Sequence, residues 1–196
     1  MGSLTLKTAP ASEPFTTAEA KTHLRVDISE DDTYIDTLIV SARARTEAYL
    51  RRALITQTWE YRLDWFPLSD ESELLVPMLP MVSVSTIKYI DSDGDEQTWD
   101  SSEYTVDIYN HVPRILPAFS FSWPTTRDQI NAITIEFIAG YGAASAVPQD
   151  IKHAMLLLIG EMYENREESV TGTIVSAMPT TSQSLLDIHQ AKTLGF

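Results

Sequence analysis

Three glutamates, Glu161, Glu164 and Glu168, recur at steps of three and four in "LLLIGEMYENREESVTG", and His153 lies eight residues before the first of them. On a helix this spacing puts the carboxylates on one face with the histidine about two turns away. Such a set could hold a metal or move protons. A di-iron helix bundle, however, needs a Glu-x-x-His pair on each of two helices and single glutamates from two more. Neither Glu-x-x-His nor His-Glu-x-x-His occurs in the chain. The spacing therefore favours the solvated end of an amphipathic helix over a carboxylate-based metal-dependent hydrolase.

A second acidic group, Asp91, Asp93, Asp95 and Glu96, brackets Gly94 in "DSDGDE". A calcium loop places its glycine at position six and its bidentate acid at position twelve. Counted from Asp91, glycine falls at four and position twelve is Ser102. The flanks alternate like strands, so a hairpin turn with acidic shoulders is expected. Nucleophile motifs are missing: there is no Gly-x-Ser-x-Gly, and His23, His111, His153 and His189 lack local partners. "GYGAASAVP" has no lysine and the wrong spacing for a phosphate loop. With no cysteine, disulfides, thiol nucleophiles and cysteine-bound zinc are excluded, and a cytoplasmic place of synthesis fits. No catalytic set, metal or cofactor is expected.

The net charge of −14 is unevenly spread. Between Glu60 and Asn110 twelve acidic residues face only Arg62 and Lys88, a local −10. That surface repels a phosphate backbone, which argues against sequence-reading DNA binding. The opposite bias gathers at Arg43, Arg45, Arg51 and Arg52. Cations near a helix end suit its dipole; they would also suit an acidic partner.

The elements that position these groups follow from periodicity. Thr16 to Glu19 has capping-box spacing and opens a short helix over about 17–25. Ser29 and the acids after it repeat the start signal. Ile35, Leu38, Ile39, Ala42, Thr46, Tyr49, Leu50 and Ala53 then mark a helix over about 30–52, some 35 Å long. From Thr56 the period becomes two. "TQTWEYRLDW", "ELLVPMLP", the hairpin "VSVSTIKYIDSDGDEQTWD", "EYTVDIY" with "RILP", and "NAITIEFIAG" make about six short strands. Ile151, Ala154, Met155, Leu158, Ile159 and Met162 mark a helix over about 148–166, after Pro148. "SLLDIHQAK" is a short terminal helix. The fold class is therefore α+β: a helical core (16–169) with an antiparallel β-rich insertion at about 56–140. Residues 1–15 read as a flexible arm, and 170–196 as a C-terminal arm. No apolar run is long enough to span a bilayer.

The order of these pieces resembles the head–tail connector (adaptor) proteins of long-tailed bacteriophages. The marks are "EAKTHLRV", an acidic break, a long helix ending in "YLRR", and "ALITQTW". "LLVPMLPMVSVSTIKYID", "SWPTTRDQINAITIEFIAGYG" and "VPQDIKHAMLLLIGEMYENRE" follow in family order. The resemblance covers roughly residues 15–170 and implies a virion protein of the neck, made in the bacterial cytoplasm. It implies a homo-oligomeric ring of about a dozen copies beneath the portal protein. Such a ring extends the channel for double-stranded DNA and carries the next neck or tail protein, a stopper or tail terminator. Rival roles are a stopper or tail terminator itself, or a host-encoded interaction module.

Three residue groups follow as candidates. Arg43, Arg45, Arg51 and Arg52 would make a subunit or portal contact. Asp91, Asp93, Asp95 and Glu96 would line an acidic rim or channel. Ile174, Val175, Leu185, Leu186, Leu194 and Phe196 would dock the C-terminal arm on the portal.

Overall fold

The computed structural model describes residues 2–69, 72–110, 112–166 and 180–190. Two compact units emerge, a β unit drawn from residues 2–11 and 56–140 and a helical unit drawn from 12–55 and 141–190. The insertion expected from the change of period is therefore a unit in its own right.

In the helical unit, α1 (Thr17–Leu24) starts with the expected capping box. The Thr16 hydroxyl accepts from the Glu19 N–H at 3.2 Å, and the Glu19 carboxylate accepts from the Thr16 N–H at 2.8 Å. Both satisfy amides that have no helical partner of their own. The second helix, α2 (Asp32–Leu50), buries Ile35, Leu38, Ile39, Ala42, Thr46 and Leu50, the stripe its periodicity requires. It also buries Arg43 and Glu47, which the apolar pattern does not announce. Its N-cap is Asp31 rather than Ser29, and that carboxylate makes no capping bond. A short 3-10 turn (Ala144–Ala146) leads into α3 (Gln149–Glu164), which buries Ile151, Ala154, Met155, Leu158 and Ile159. The last helix, α4 (Thr180–Asp187), starts four residues before "SLLDIHQAK" and packs on α3 and α2. One apolar cluster runs from Phe15 and Ala20 through α2 and α3 to Leu186.

The β unit contains eight strands among the described residues, two more than periodicity indicates. β1 (Ser3–Thr8), β2 (Gln57–Leu63), β4 (Met81–Ile90), β5 (Glu96–Thr98) and β8 (Ile133–Ala139) form one antiparallel sheet in the order β1-β2-β8-β4-β5. β3 (Leu74–Leu75), β6 (Tyr104–Asp107) and β7 (Arg114–Pro117) form a second, ordered β3-β7-β6. The register sets Trp59 and Val84 on either side of Phe137, and Tyr61 and Ile87 on either side of Ile135. Ile133, Ile135, Phe137 and Ala139 are buried while Thr134, Glu136 and Ile138 are half-buried, so one face of the sheet is core. Phe66, Trp99 and Trp123 form an aromatic cluster with ring centroids 5.1–5.6 Å apart.

β1 corrects the expectation of a flexible N-terminal arm. "SLTLKT" is an alternating segment too short to stand out by pattern. Its register against β2, Leu4 on Tyr61 and Leu6 on Trp59, gives its backbone groups partners. Lys7, ion-paired with Glu136, puts a charge on this edge strand, which discourages stray pairing.

Candidate functional site

The four arginines do not act as one basic patch. Arg43 is 9% exposed and lies between two carboxylates. Its Nε donates to Glu13 at 2.7 Å and its Nη1 to Glu47 at 2.9 Å. The second Glu47 oxygen accepts from the Leu54 N–H at 2.8 Å. Burial works against the charge on Arg43, but Glu13 and Glu47 hold its proton above the ordinary affinity. This is an internal clamp between the entry to the helical unit, α2 and the chain leaving it. It corrects Arg43 as a partner contact: a guanidinium so enclosed is not available to another molecule. Arg52 is also engaged, its Nε donating to the His189 carbonyl at 2.7 Å. Arg51 is the left-handed C-cap of α2, with φ 53°, and is exposed. Arg45 is half-buried. Neither Arg45 nor Arg51 makes an ion pair among the described residues.

The acidic hairpin connects β4 and β5. One oxygen of Asp91 accepts from the N–H groups of Asp93, Gly94 and Asp95, each at 3.0 Å, and the other from the Gln97 amide at 2.8 Å. The Gln97 amide, then the backbone donors, hold the Asp91 carboxyl below the usual carboxylate range. Gly94 adopts φ 100°, a conformation that glycine enters without steric cost. Glu96 pairs with Lys88 at 2.7 Å. Asp91 thus builds the turn, whereas Asp93 and Asp95 stand exposed on it.

Among the described residues, no three histidines or carboxylates converge as metal ligands. The end of α3 is occupied by a different arrangement. The Tyr163 hydroxyl donates to Asp31 at 2.5 Å and Arg166 donates to the same oxygen at 2.9 Å. The Arg166 guanidinium lies 4.8 Å from the ring centres of both Tyr34 and Tyr163. The Tyr163 hydroxyl, then Arg166, hold the Asp31 carboxyl below the usual carboxylate range. Asp31 caps no amide because it fastens α3 instead. Glu168 lies outside the described residues.

Of the candidate arm residues, Ile174, Val175, Leu194 and Phe196 lie outside the described residues. Leu186 is fully buried in the helical core and Leu185 packs against that core, so in this conformation α4 docks on its own chain. Tyr49 on α2 donates to Asp187 at the end of α4. This corrects Leu186 as a free docking residue; an amphipathic segment satisfies its apolar side on the nearest core it can reach.

Sequence reasoning missed the loops of the β unit. Trp65, Leu68, Tyr109, Phe119, Phe121 and Ile130 are exposed there. The signal was present in "LDWFPL" and "PAFSFSWP", apolar but without the strand or helix period that assigns a face.

None of these groups pairs a nucleophile with a base. Their charges tie elements together, and what reaches solvent is suited to contact with other molecules. Residues 16–112 match the family described as phage gp6-like head–tail connector protein. No curated protein matches. Among solved structures, a chain in the neck of an empty gene transfer agent (GTA) particle computed with C6 symmetry superposes with a TM-score of 0.80. It is 24% identical, and the match covers 99% of this chain and 98% of that one. A chain in the virion of a native GTA particle gives 0.79 at 24% identity, covering 98% of each. A chain in the neck of a native GTA particle computed with C12 symmetry gives 0.75 at 24%, covering 99% of this chain and 98% of the other. Residues 16–112, which run from the α1 capping box past the acidic hairpin, are the part of the chain that matches the phage gp6-like head–tail connector family.

Proposed function

We propose that this connector works as a ring of about a dozen copies. The ring sits in the neck of a phage-like particle, beneath the portal protein. It extends the channel for double-stranded DNA and carries the next neck or tail protein. The observation that carries the reading is the likeness of the whole chain, both units included, to neck proteins of a particle reconstructed with twelvefold symmetry. A role of this kind needs no catalytic residues.

The charge distribution supports a passage for DNA. Asp93, Asp95 and Glu96 on the β4–β5 hairpin would present carboxylates to a rim or channel, giving weak, salt-screened repulsion instead of adhesion. Arg45 and Arg51 remain as the basic contact for an acidic neighbour, Arg43 and Arg52 being engaged within the chain. The long α2, 19 residues, fits a connector better than the β-dominated stopper or terminator.

Electron microscopy of the protein assembled with its portal tests the reading. A closed ring below the portal, with the acidic hairpins toward the channel, is the expected result. Particles that join head to tail without this chain would overturn it.

A further inference from the structure

The apolar loops of the β unit are held together at one end by specific bonds. Between β2 and β3, the segment 64–69 carries Trp65 and Leu68. It is joined to the β7–β8 connection twice. The Trp123 indole donates to the Ser69 carbonyl at 3.1 Å, and the Asp64 carboxylate accepts from the Asn131 N–H at 2.9 Å. Trp123 also stacks on Phe66, centroids 5.1 Å apart. Phe119, Phe121 and Ile130 therefore share an end with Trp65 and Leu68.

This exposure is built in. The Phe121 N–H donates to the Ala118 carbonyl at 2.9 Å, closing a turn with Phe119 and Ser120 at its corners. Ser120 takes φ 69°, a left-handed conformation that is unfavourable for a residue with a Cβ. The turn holds Phe119 98% exposed, and across the joint Leu68 is 99% exposed. Large apolar side chains held in solvent at one end of a unit are the kind of surface that marks an interaction site.

We propose that this loop end docks against a second copy of the chain. Charge decides the occupant. With a net −14, copies repel one another, so a contact between them has to fall where carboxylates are sparse. Residues 115–126, "ILPAFSFSWPTT", carry no charge, whereas Leu68 is followed by Asp70 and Glu71, so the uncharged stretch is the part of this end that another copy can approach. A basic partner would be drawn to the acidic hairpin instead. The contact is head to tail, pairing this end with a different surface of the neighbour, as a closed ring demands. The inference deepens the connector reading and rests on it.

The test uses the full chain with Leu68→Ser and Phe119→Ser together. Ile130→Ser is an independent variant, and Ile28→Ser in the helical unit is a control of similar chemistry. Native mass spectrometry and light scattering follow association up to about 1 mM. Wild type and Ile28→Ser should self-associate, the double variant should weaken association at least about tenfold, and Ile130→Ser should weaken it less. Melting curves check that every variant is folded. Equal association of wild type and double variant overturns the proposal, as does a wild type that stays monomeric throughout. So does burial of these loops by portal or tail protein instead of by a neighbouring copy in assembled particles. Necks with intact rings of the double variant would refute this contact alone. Necks without any ring of the chain would refute the connector reading itself.

Discussion

The helical unit and the β unit treat their side chains in opposite ways. Among its described residues the helical unit buries or half-buries nearly all large apolar side chains and encloses charge only where it is paired, as at Arg43 between Glu13 and Glu47. Among its described residues, Ile28, Val40 and Ile188 are the large apolar side chains left exposed. The β unit has a core of similar chemistry but, among its described residues, leaves nine large apolar side chains in solvent, at loops and edges. One unit turns its apolar side chains mostly inward, and the other presents many of them to solvent. A connector needs both, a body that holds its shape and a surface that joins.

The largest effect should come from the helical core. Leu158→Ala removes a fully buried side chain and should cost about 2–5 kcal/mol, read by denaturant unfolding. Core substitutions that cost less than about 1 kcal/mol would break the contrast. Glu47→Ala should cost about 3 kcal/mol, because Arg43 loses one of its two carboxylates and the Leu54 N–H loses its acceptor. Glu47→Gln, which keeps an acceptor for Leu54, should recover part of that loss.

The link between α2 and α3 gives a pH test. The Asp31 carboxyl is depressed by Tyr163 and Arg166, so its contribution is complete above the ordinary aspartate value of about 3.9. It is lost as the pH falls through the lower folded-state value. Asp31→Asn should destabilise the chain modestly near pH 7 and flatten the acid limb of the stability curve. An unchanged acid limb would remove Asp31 from the account. Asp91→Ala should loosen the hairpin by freeing its turn donors, detectable as faster amide exchange at Asp93 to Asp95. Leu68→Ser with Phe119→Ser should change stability by no more than about 0.5 kcal/mol, since both side chains are already in water. That smallest effect on folding, beside a large effect on association, would sharpen the contrast most.

Much of the helical unit was readable along the chain. Capping at Thr16, the three- and four-residue stripes of α2 and α3, and the hairpin around Gly94 all arise from neighbours within a few residues, and local periodicity records them. The family resemblance was legible for the same reason, as an order of local segments. Tertiary structure alone decided which charges are spoken for. Arg43 meets Glu13 thirty residues away, and Asp31 meets Tyr163 across 132. Whether β1 is an arm or a strand depended on β2, 50 residues on, having a free edge beside it. The apolar loops read as neither core nor surface until Trp123 and Asn131 tied them to one end. Sequence spacing fixes contacts a turn or two away. Closure over tens of residues depends on the packed backbone, and in this protein that closure decides which residues remain for a partner.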